Sequence, residues 1–531
     1  MAARRADFDA VVVGAGFGGL YMLHRLRQLG FSARVIEAGG GIGGTWYWNR
    51  YPGARCDIES LEYSYQFSPE LQREWRWTER FATQPEILRY IEHVADRFDL
   101  RRDVQLDTRV TAARFDDATS AWTVETERGR VTARFCIMAT GCLSSTNIPA
   151  FPGRETFAGA TYHTGRWPHE GVDFTGKRVA VIGTGSSAIQ SIPLIAEEAA
   201  HLTVFQRTPA YTIPAHNGPI DPDFLHEVMD DYAGFRARNA ALPFGANFPL
   251  NDVMAIEATP EERERQYEAR WQRGGLGFIT AYGDLLLNRD ANDTAADFVR
   301  GKIREIVRDP AVAEKLSPKQ VLGCKRLCVD SGYYATFNRP NVTLVDVSET
   351  PIEAITPRGI RVGAVEYEVD CIVYATGYDA MTGALTNIDI RGSGGRSLRE
   401  KWAAGPRTYL GLGTAGFPNL FIITGPGSPS VLSNMVPAVE QHANWIGDCI
   451  AYLRANGRER IEATLEAEDA WVDHVNELAN LTLYPACNSW YLGANVPGKP
   501  RVFMPYLGFG PYVARCDEVA ANGYEGFALT P

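Results

Sequence analysis

Two stretches of this 531-residue chain space their glycines so that a backbone can grip a pyrophosphate. Residues 8–19 read FDAVVVGAGFGG, which puts Gly14, Gly16 and Gly19 in the order G-x-G-x-x-G. The first glycine makes a tight turn, the second admits a phosphate to the backbone, and the third lets helix and strand pack closely. Free N–H groups at the start of the helix then hold the phosphates. Glu37 follows 23 residues after Gly14, at the tip of a second apolar run, ARVIEAG. A carboxylate there accepts from ribose hydroxyls and repels a 2′-phosphate, so this unit suits FAD or NAD better than NADP. Residues 177–190, KRVAVIGTGSSAIQ, repeat the pattern as Gly183, Gly185 and Ala188, with Ser186, Ser187 and Gln190 at the start of the next helix. Arg207 lies 24 residues after Gly183, with Thr208 beside it, where the first unit carries Glu37. A guanidinium can hold a 2′-phosphate through charge-assisted bonds, so the second unit prefers NADP. The plainer alternatives are a glycine-rich turn without a ligand and a surface arginine that happens to end a strand.

The elements that must position these residues can be read around them. Ala10–Val13 and Val179–Ile182 are short apolar runs of the kind that form buried parallel strands. Leu20, Leu23 and Leu26 share one face of a helix, and Gly30 stops it. CIMATGC (136–142) and CIVYATGYD (371–379) are each an apolar strand followed by Ala-Thr-Gly, a small turn that lets backbone pass close to a cofactor. The expected fold is α/β: two Rossmann-like dinucleotide-binding domains, for FAD and NADPH, with the second inserted in the first. The expected divisions are 1–145 with 379–531 for FAD, 146–214 with 324–378 for NADP, and a helical insertion over 215–323. In that insertion Thr259 and Glu262 are spaced as a capping box. Phe298, Val299, Ile303, Ile306 and Val307 form an apolar stripe ending before Pro310.

Bulk composition narrows the function classes. A net charge of -11 argues against nucleic acid or an anionic membrane as partner. No apolar run is long enough to span a bilayer, and the N-terminus lacks the apolar core of a secretory signal. The nine cysteines are odd in number and include no C-x-x-C pair. Neither a metal cluster nor a disulfide framework is expected, and a reducing cytoplasm is the default compartment.

Five further stretches carry a resemblance. Between the first Ala-Thr-Gly turn and the second glycine loop lies TFAGATYHTGRWPHE, too glycine-rich for a helix and too irregular for a strand. It holds Phe157, Gly159, His163, Trp167 and Pro168 as F-x-G-x-x-x-H-x-x-x-W-P. GGTWYWNRYPGARCD contains Gly44, Trp46, Tyr51, Pro52, Gly53 and Asp57. GCKRLCVDSGYY contains Lys325 and Arg326. GPGSPSVLSNM (425–435) and NSWYLGANVPGKPRVFMPYLGFG (488–510) complete the set. Together these resemble the Type I Baeyer–Villiger monooxygenases, nearest to the phenylacetone and steroid monooxygenase branch, over essentially the whole chain.

The resemblance implies a reaction in which NADPH reduces FAD, O2 gives a flavin C4a-peroxide, and a ketone becomes an ester or lactone. It implies that Arg326 keeps that species anionic and steadies the developing oxyanion, with Asp57 paired to it. Lys325 takes the place of a lysine that contacts the 2′-phosphate of NADP alongside Arg207 and Thr208. Gly44, Trp46, Tyr63 and Val110 match flavin-contacting positions, Val110 through its backbone. Trp490 matches a tryptophan that closes over bound NADP. Ser430, Val431, Leu432 and Met435 match a loop that shapes the ketone pocket, and bulky cyclic, steroid-like or aryl ketones are expected. His163 is expected to set the path of the connector rather than to move a proton. Two other readings stay open: a flavin monooxygenase acting on nitrogen or sulfur, and a nucleotide-binding protein without turnover. A disulfide reductase is disfavoured, because no close cysteine pair follows the first glycine loop. No metal is expected; a monomer is plausible, with the oligomeric state open.

Overall fold

The computed structural model describes residues 6–531. Residues 1–5, part of the stretch read as lacking a secretory signal, lie outside the described residues. Phe8–Val13 is a strand whose last four residues are buried, as its unbroken apolar run requires. It pairs in parallel with Ala33–Ile36 on one side and Gly129–Met138 on the other. These belong to an eight-stranded sheet that also takes in Val110–Asp116, Ala121–Thr126, Asp389–Arg391 and Leu420–Ile422. Strands from the start of the chain and from beyond residue 388 therefore share one sheet.

A second, five-stranded sheet is built from the residues between. Its order runs Val342–Asp346, His201–Gln206, Arg178–Ile182, Cys371–Tyr374, Ala160–His163, with every pairing parallel. The α/β character and the interrupted first unit thus follow the sequence expectation. One expectation fails. Ala160–His163, read as too irregular for a strand, pairs with Cys371–Tyr374 as the edge of this sheet. Only four residues pair, and on one side only, so the segment does not need a fully apolar pattern.

The helical region folds as its caps direct. Thr259 and Glu262 form the capping box of the helix Pro260–Arg273. Asn288 caps Arg289–Ile306, whose apolar side buries Phe298, Val299 and Ile303. Tyr267, Trp271, Phe278 and Phe298 join one core with Val179 and Leu202 of the second sheet. The same region also reaches the first unit: buried Arg236 donates to the carbonyl oxygens of Glu62 and Ser64.

The cysteine reading also needs correction, because Cys324 and Cys487 are joined by a disulfide across a separation of 163 residues. Their Cα atoms lie 6.2 Å apart, within bridging range. Spacing rules detect close pairs, whereas only the fold brings these two together. Among the described residues no helix is long and apolar enough to cross a membrane.

Candidate active site between two glycine cradles

The two glycine loops are built alike. Gly14 has φ +107°, and a Cβ on it would stand 2.4 Å from the Ala139 carbonyl oxygen. Gly183 has φ +114°, and its Cβ would stand 2.4 Å from the Ala375 carbonyl oxygen. Each Ala-Thr-Gly turn thus seats on the first glycine of its own loop, which explains why small residues recur there. Gly44, with φ +55°, brings the Trp46-bearing motif down on Gly16, where a Cβ would lie 2.9 Å from the Gly16 Cα. At Gly185 a Cβ would meet nothing within 4 Å and would project into the cavity instead. Both loops open a helix with unbonded N–H groups, at Phe17–Gln28 and Ser186–Glu198. These are the features that a pyrophosphate requires, so the residues present fit two dinucleotides.

Both loops line one cavity of about 950 Å³. At the first, Glu37 is buried and accepts from the N–H of Ala15 and of Gly39, both at 2.7 Å. Burial raises its pKa, and those two bonds partly offset the rise. One bond to each oxygen leaves acceptor capacity for ribose hydroxyls. Trp46 donates from Nε1 to the Tyr63 hydroxyl at 3.2 Å, and both residues line the cavity with Val110. At the second loop, Ser186, Ser187, Gln190, Arg207 and Thr208 line the same space. Lys325 joins them; burial first, and then the charge of Arg207, push its pKa down to about 8. The two cations are close enough for one to disfavour the charge of the other.

Arg326 stands where the two units meet. Its Nε and Nη2 donate to the two Asp57 oxygens at 3.0 and 2.9 Å, and Nη1 donates to the Val431 carbonyl at 2.9 Å. Burial opposes its charge, but Asp57 and Tyr491 together more than offset it and raise the guanidinium pKa above its already high ordinary value. Asp57 is delivered by the motif of the first unit. Gly53 (φ +79°) presses on the helix of the second unit, where a Cβ would lie 2.4 Å from the Gln190 carbonyl oxygen. Tyr51 donates to the Gln190 side chain at 2.8 Å, and Gln190 donates to the Arg55 carbonyl at 3.2 Å. Three of the five guanidinium N–H groups are thereby engaged, and the buried Tyr491 hydroxyl lies beside the guanidinium as well.

The connector braces this junction, and its Gly165 and Arg166 reach the cavity wall. His163 accepts at Nδ1 from the Gly165 N–H at 2.9 Å, and burial pushes its pKa down to about 4. A ring that stays neutral through the physiological range and bonds its own backbone holds a path; it is a poor base. Trp167 is buried against Tyr162 and Phe174, and its backbone N–H donates to the Trp48 carbonyl. Phe157 packs under the second sheet, and a Cβ on Gly159 would meet the Asp370 carbonyl oxygen at 2.3 Å. None of Phe157, Gly159, His163, Trp167 or Pro168 lines the cavity.

The comparisons with known proteins agree with this geometry. A family profile described as pyridine nucleotide-disulphide oxidoreductase matches residues 11–230. A curated protein named Baeyer-Villiger monooxygenase, from Pseudooceanicola batsensis, is 46% identical over 98% of this chain and 96% of its own length. The chain belongs to the Type I Baeyer–Villiger monooxygenases. It is an oxidoreductase that uses FAD, NADPH and O2 to convert ketones to esters or lactones. A solved structure titled oxidized steroid monooxygenase bound to NADP superposes on the monooxygenase with a TM-score of 0.94. That structure is 55% identical and covers 98% of this chain and 99% of its own. Another, of OTEMO with FAD and NADP, has a TM-score of 0.96 at 41% identity, covering 99% of this chain and 100% of its own. Phenazine N-monooxygenase PhzNO1 from Lysobacter antibioticus is also 41% identical, over 99% of this chain and 97% of its own.

Some expected residues of the monooxygenase lie elsewhere. Val431 and Met435 are on the cavity wall, but Ser430 and Leu432 are turned into the core. The tight turn Ser430–Leu432 points alternate side chains apart, and the Ser430 hydroxyl donates to the Met381 sulfur at 3.6 Å. Gly19 does not touch the cavity; its Cβ would strike the Gly14 carbonyl oxygen at 1.8 Å, so its role is helix-to-strand packing. Other residues were missed. Tyr378, just past the second Ala-Thr-Gly turn, lines the cavity and donates to the Asn49 side chain at 2.6 Å. Tyr491, next to Trp490, is buried; burial raises its pKa to about 12, and nearby Arg326 works against that rise. Both lie inside stretches that the sequence already singled out, but neither residue type has a spacing rule to mark it.

Proposed function

We propose that the monooxygenase acts on bulky cyclic, steroid-like or aryl ketones. Support comes from the 55% identity to a structure titled steroid monooxygenase and from the apolar Val431 and Met435 on the wall of the cavity that Arg326 also lines. Bound FAD supplies the redox chemistry, taking hydride from NADPH and passing one oxygen atom of O2 to the ketone while the other leaves as water.

In this reading Arg326 is the catalytic cation. Its charge is fixed at any working pH, and it lies at the cavity wall, where it can steady oxygen that becomes negative during the reaction. The single observation that carries the role is the bidentate pair with Asp57 at the cavity wall, held from a third side by Val431. Asp57 orients the guanidinium and sets how much charge it shows. Glu37, Gly14, Gly16, Gly44, Trp46, Tyr63 and the Val110 backbone hold FAD. Gly183, Gly185, Ser186, Ser187 and Gln190 hold the NADPH pyrophosphate side, with Arg207, Thr208 and Lys325 on its 2′-phosphate. Trp490 closes over the nicotinamide side. The boundaries 1–145 with 379–531, 146–214 with 324–378, and 215–323 follow the two sheets and the helices packed on them. The cytoplasm is the proposed compartment.

The test is a ketone panel with NADPH, including a steroid ketone, an aryl acetone and cyclohexanone, with products identified by mass and regiochemistry. Preferential turnover of cyclohexanone would overturn the substrate assignment. A second reading, nitrogen oxidation, is favoured by the 41% identity to a phenazine N-monooxygenase. A phenazine in the same panel decides it: N-oxide without any ester from the ketones would replace the first reading.

A further inference from the structure

We propose that Cys324 and Cys487 form a thiol–disulfide site through which peroxide controls how firmly a C-terminal cap is held over the active site. The disulfide joins two short segments that each lead straight into the cavity. Cys324 directly precedes Lys325 and Arg326. Cys487 directly precedes Asn488, and Asn488 and Trp490 line the same cavity. The cap, residues 481–504, is mostly loop, with two short helical turns at Tyr484–Ala486 and Trp490–Leu492. Its other ties to the body are hydrogen bonds, one ion pair and the packing of Tyr484, Tyr491, Phe503 and Met504 into the main core. Leu483 donates its N–H to the Leu286 carbonyl at 2.8 Å, and Asn147 donates to the Asn495 carbonyl at 3.1 Å. Asn495 donates to the Tyr378 carbonyl at 2.7 Å, and Lys499 reaches Asp379 and the Ala380 carbonyl. Among the described residues the disulfide is the one covalent tie. The other seven cysteines are buried and free, which singles this pair out.

The pair is also graded for access. Cys324 is fully buried, whereas Cys487 is half-buried and is the sulfur an outside reagent meets first. With both residues reduced, the Cys487 thiolate attacks one oxygen of hydrogen peroxide, breaks the O–O bond and releases hydroxide, leaving a sulfenic acid. The Cys324 thiol then attacks that sulfur; the S–S bond forms, and the sulfenic oxygen leaves as water once it takes the thiol proton. In sum, two thiols lose two electrons and two protons, and one hydrogen peroxide becomes two waters. A dithiol reductant reverses the step by attacking at Cys487. Disulfides of cytoplasmic proteins are mostly of this transient, redox-responsive type. A closed disulfide keeps the Trp490 segment near the Lys325–Arg326 segment at high effective concentration, and opening it removes that constraint. The expected consequence is slower release of NADP+ from the oxidised form. This rests on the reading above that Lys325 and Trp490 hold the nicotinamide dinucleotide.

The test compares the FAD-loaded protein after peroxide, after a dithiol, and as Cys487→Ser. Free thiols are labelled, and the cysteine peptides are mapped by mass without reduction. NADP+ release is followed by rapid mixing. Peroxide should yield a linked Cys324–Cys487 peptide. Reduction and Cys487→Ser should each speed NADP+ release by about tenfold, equivalent to about 1.4 kcal/mol, and the variant should ignore both reagents. If Cys487→Ser fails to fold, the reduced wild-type protein carries the same test. Two free thiols after peroxide, or an unchanged release rate after mapped reduction, would overturn the proposal. Failure of the NADP reading shows separately, as NADPH affinity that does not change in Lys325→Ala.

Discussion

Replacing Lys325 with alanine should separate NADPH from NADH. Lys325 and Arg207 share one wall of the cavity, and burial followed by Arg207 depresses the lysine pKa to about 8. A charge-assisted hydrogen bond to a phosphate contributes roughly 1.5–3 kcal/mol, so its loss should raise the KM for NADPH roughly 10- to 150-fold. NADH lacks the 2′-phosphate, so its KM should move by less than about threefold, within the scatter of context effects. A bound dianion restores the lysine to its charged form and so raises its pKa in the complex. Binding is therefore full below the free-enzyme value near 8 and weakens as pH rises through it. Initial rates against both reductants from pH 6.5 to about 9.5 read all of this, and Lys325→Ala should lose the alkaline rise in KM. A parallel rise in the KM for NADH, or an alkaline rise that survives in the variant, would refute the assignment.

Other expectations follow from the same contacts. Gly14→Ala places a Cβ 2.4 Å from the Ala139 oxygen at φ +107°, so the purified protein should carry little FAD by its flavin absorbance. Gly183→Ala meets the same obstacle at Ala375, yet it should keep FAD and lose NADPH affinity; equal FAD loss in both would contradict separate cradles. Glu440 is buried, and burial, partly offset by the Gln66 N–H, pushes its pKa from 4.5 up to about 8. Its contribution to stability is therefore full below pH 4.5 and fades as pH rises through about 8, and Glu440→Gln should flatten the fall of Tm over that window. Tyr51→Phe removes the 2.8 Å bond to Gln190 and should cost about 1 kcal/mol of stability with little change in FAD content.

Much of the site was legible because its chemistry depends on backbone. A loop that must receive a phosphate needs glycine at fixed intervals, and the residue 23 or 24 positions on must carry the sign of charge that suits the ribose. Asp57 and Arg326 lie 269 residues apart, and only the resemblance paired them. The structure supplies the physical route, through Gly53 and Tyr51 seated on the helix of Gln190. What stayed hidden depends on long-range placement. The Cys324–Cys487 bridge spans 163 residues, and no local rule pairs such sites. The edge strand Ala160–His163 is defined by its partner Cys371–Tyr374 rather than by its own pattern. Ser430 and Leu432 are as apolar or small as Val431, and only the tight turn at Ser430–Leu432 decides which of them faces the cavity.

The central claim is that the Arg326 guanidinium acts on oxygen chemistry and not on hydride transfer. Rapid mixing of Arg326→Ala with NADPH, then with oxygen and ketone, tests it most directly, with flavin absorbance and ester yield read from the same sample. Loss of one preorganised electrostatic donor costs about 2.7–4 kcal/mol, so ester formation should fall by roughly 10²–10³-fold while flavin reduction stays within about tenfold of wild type. Ester yield close to wild type, or flavin reduction lost to the same degree, would contradict the account.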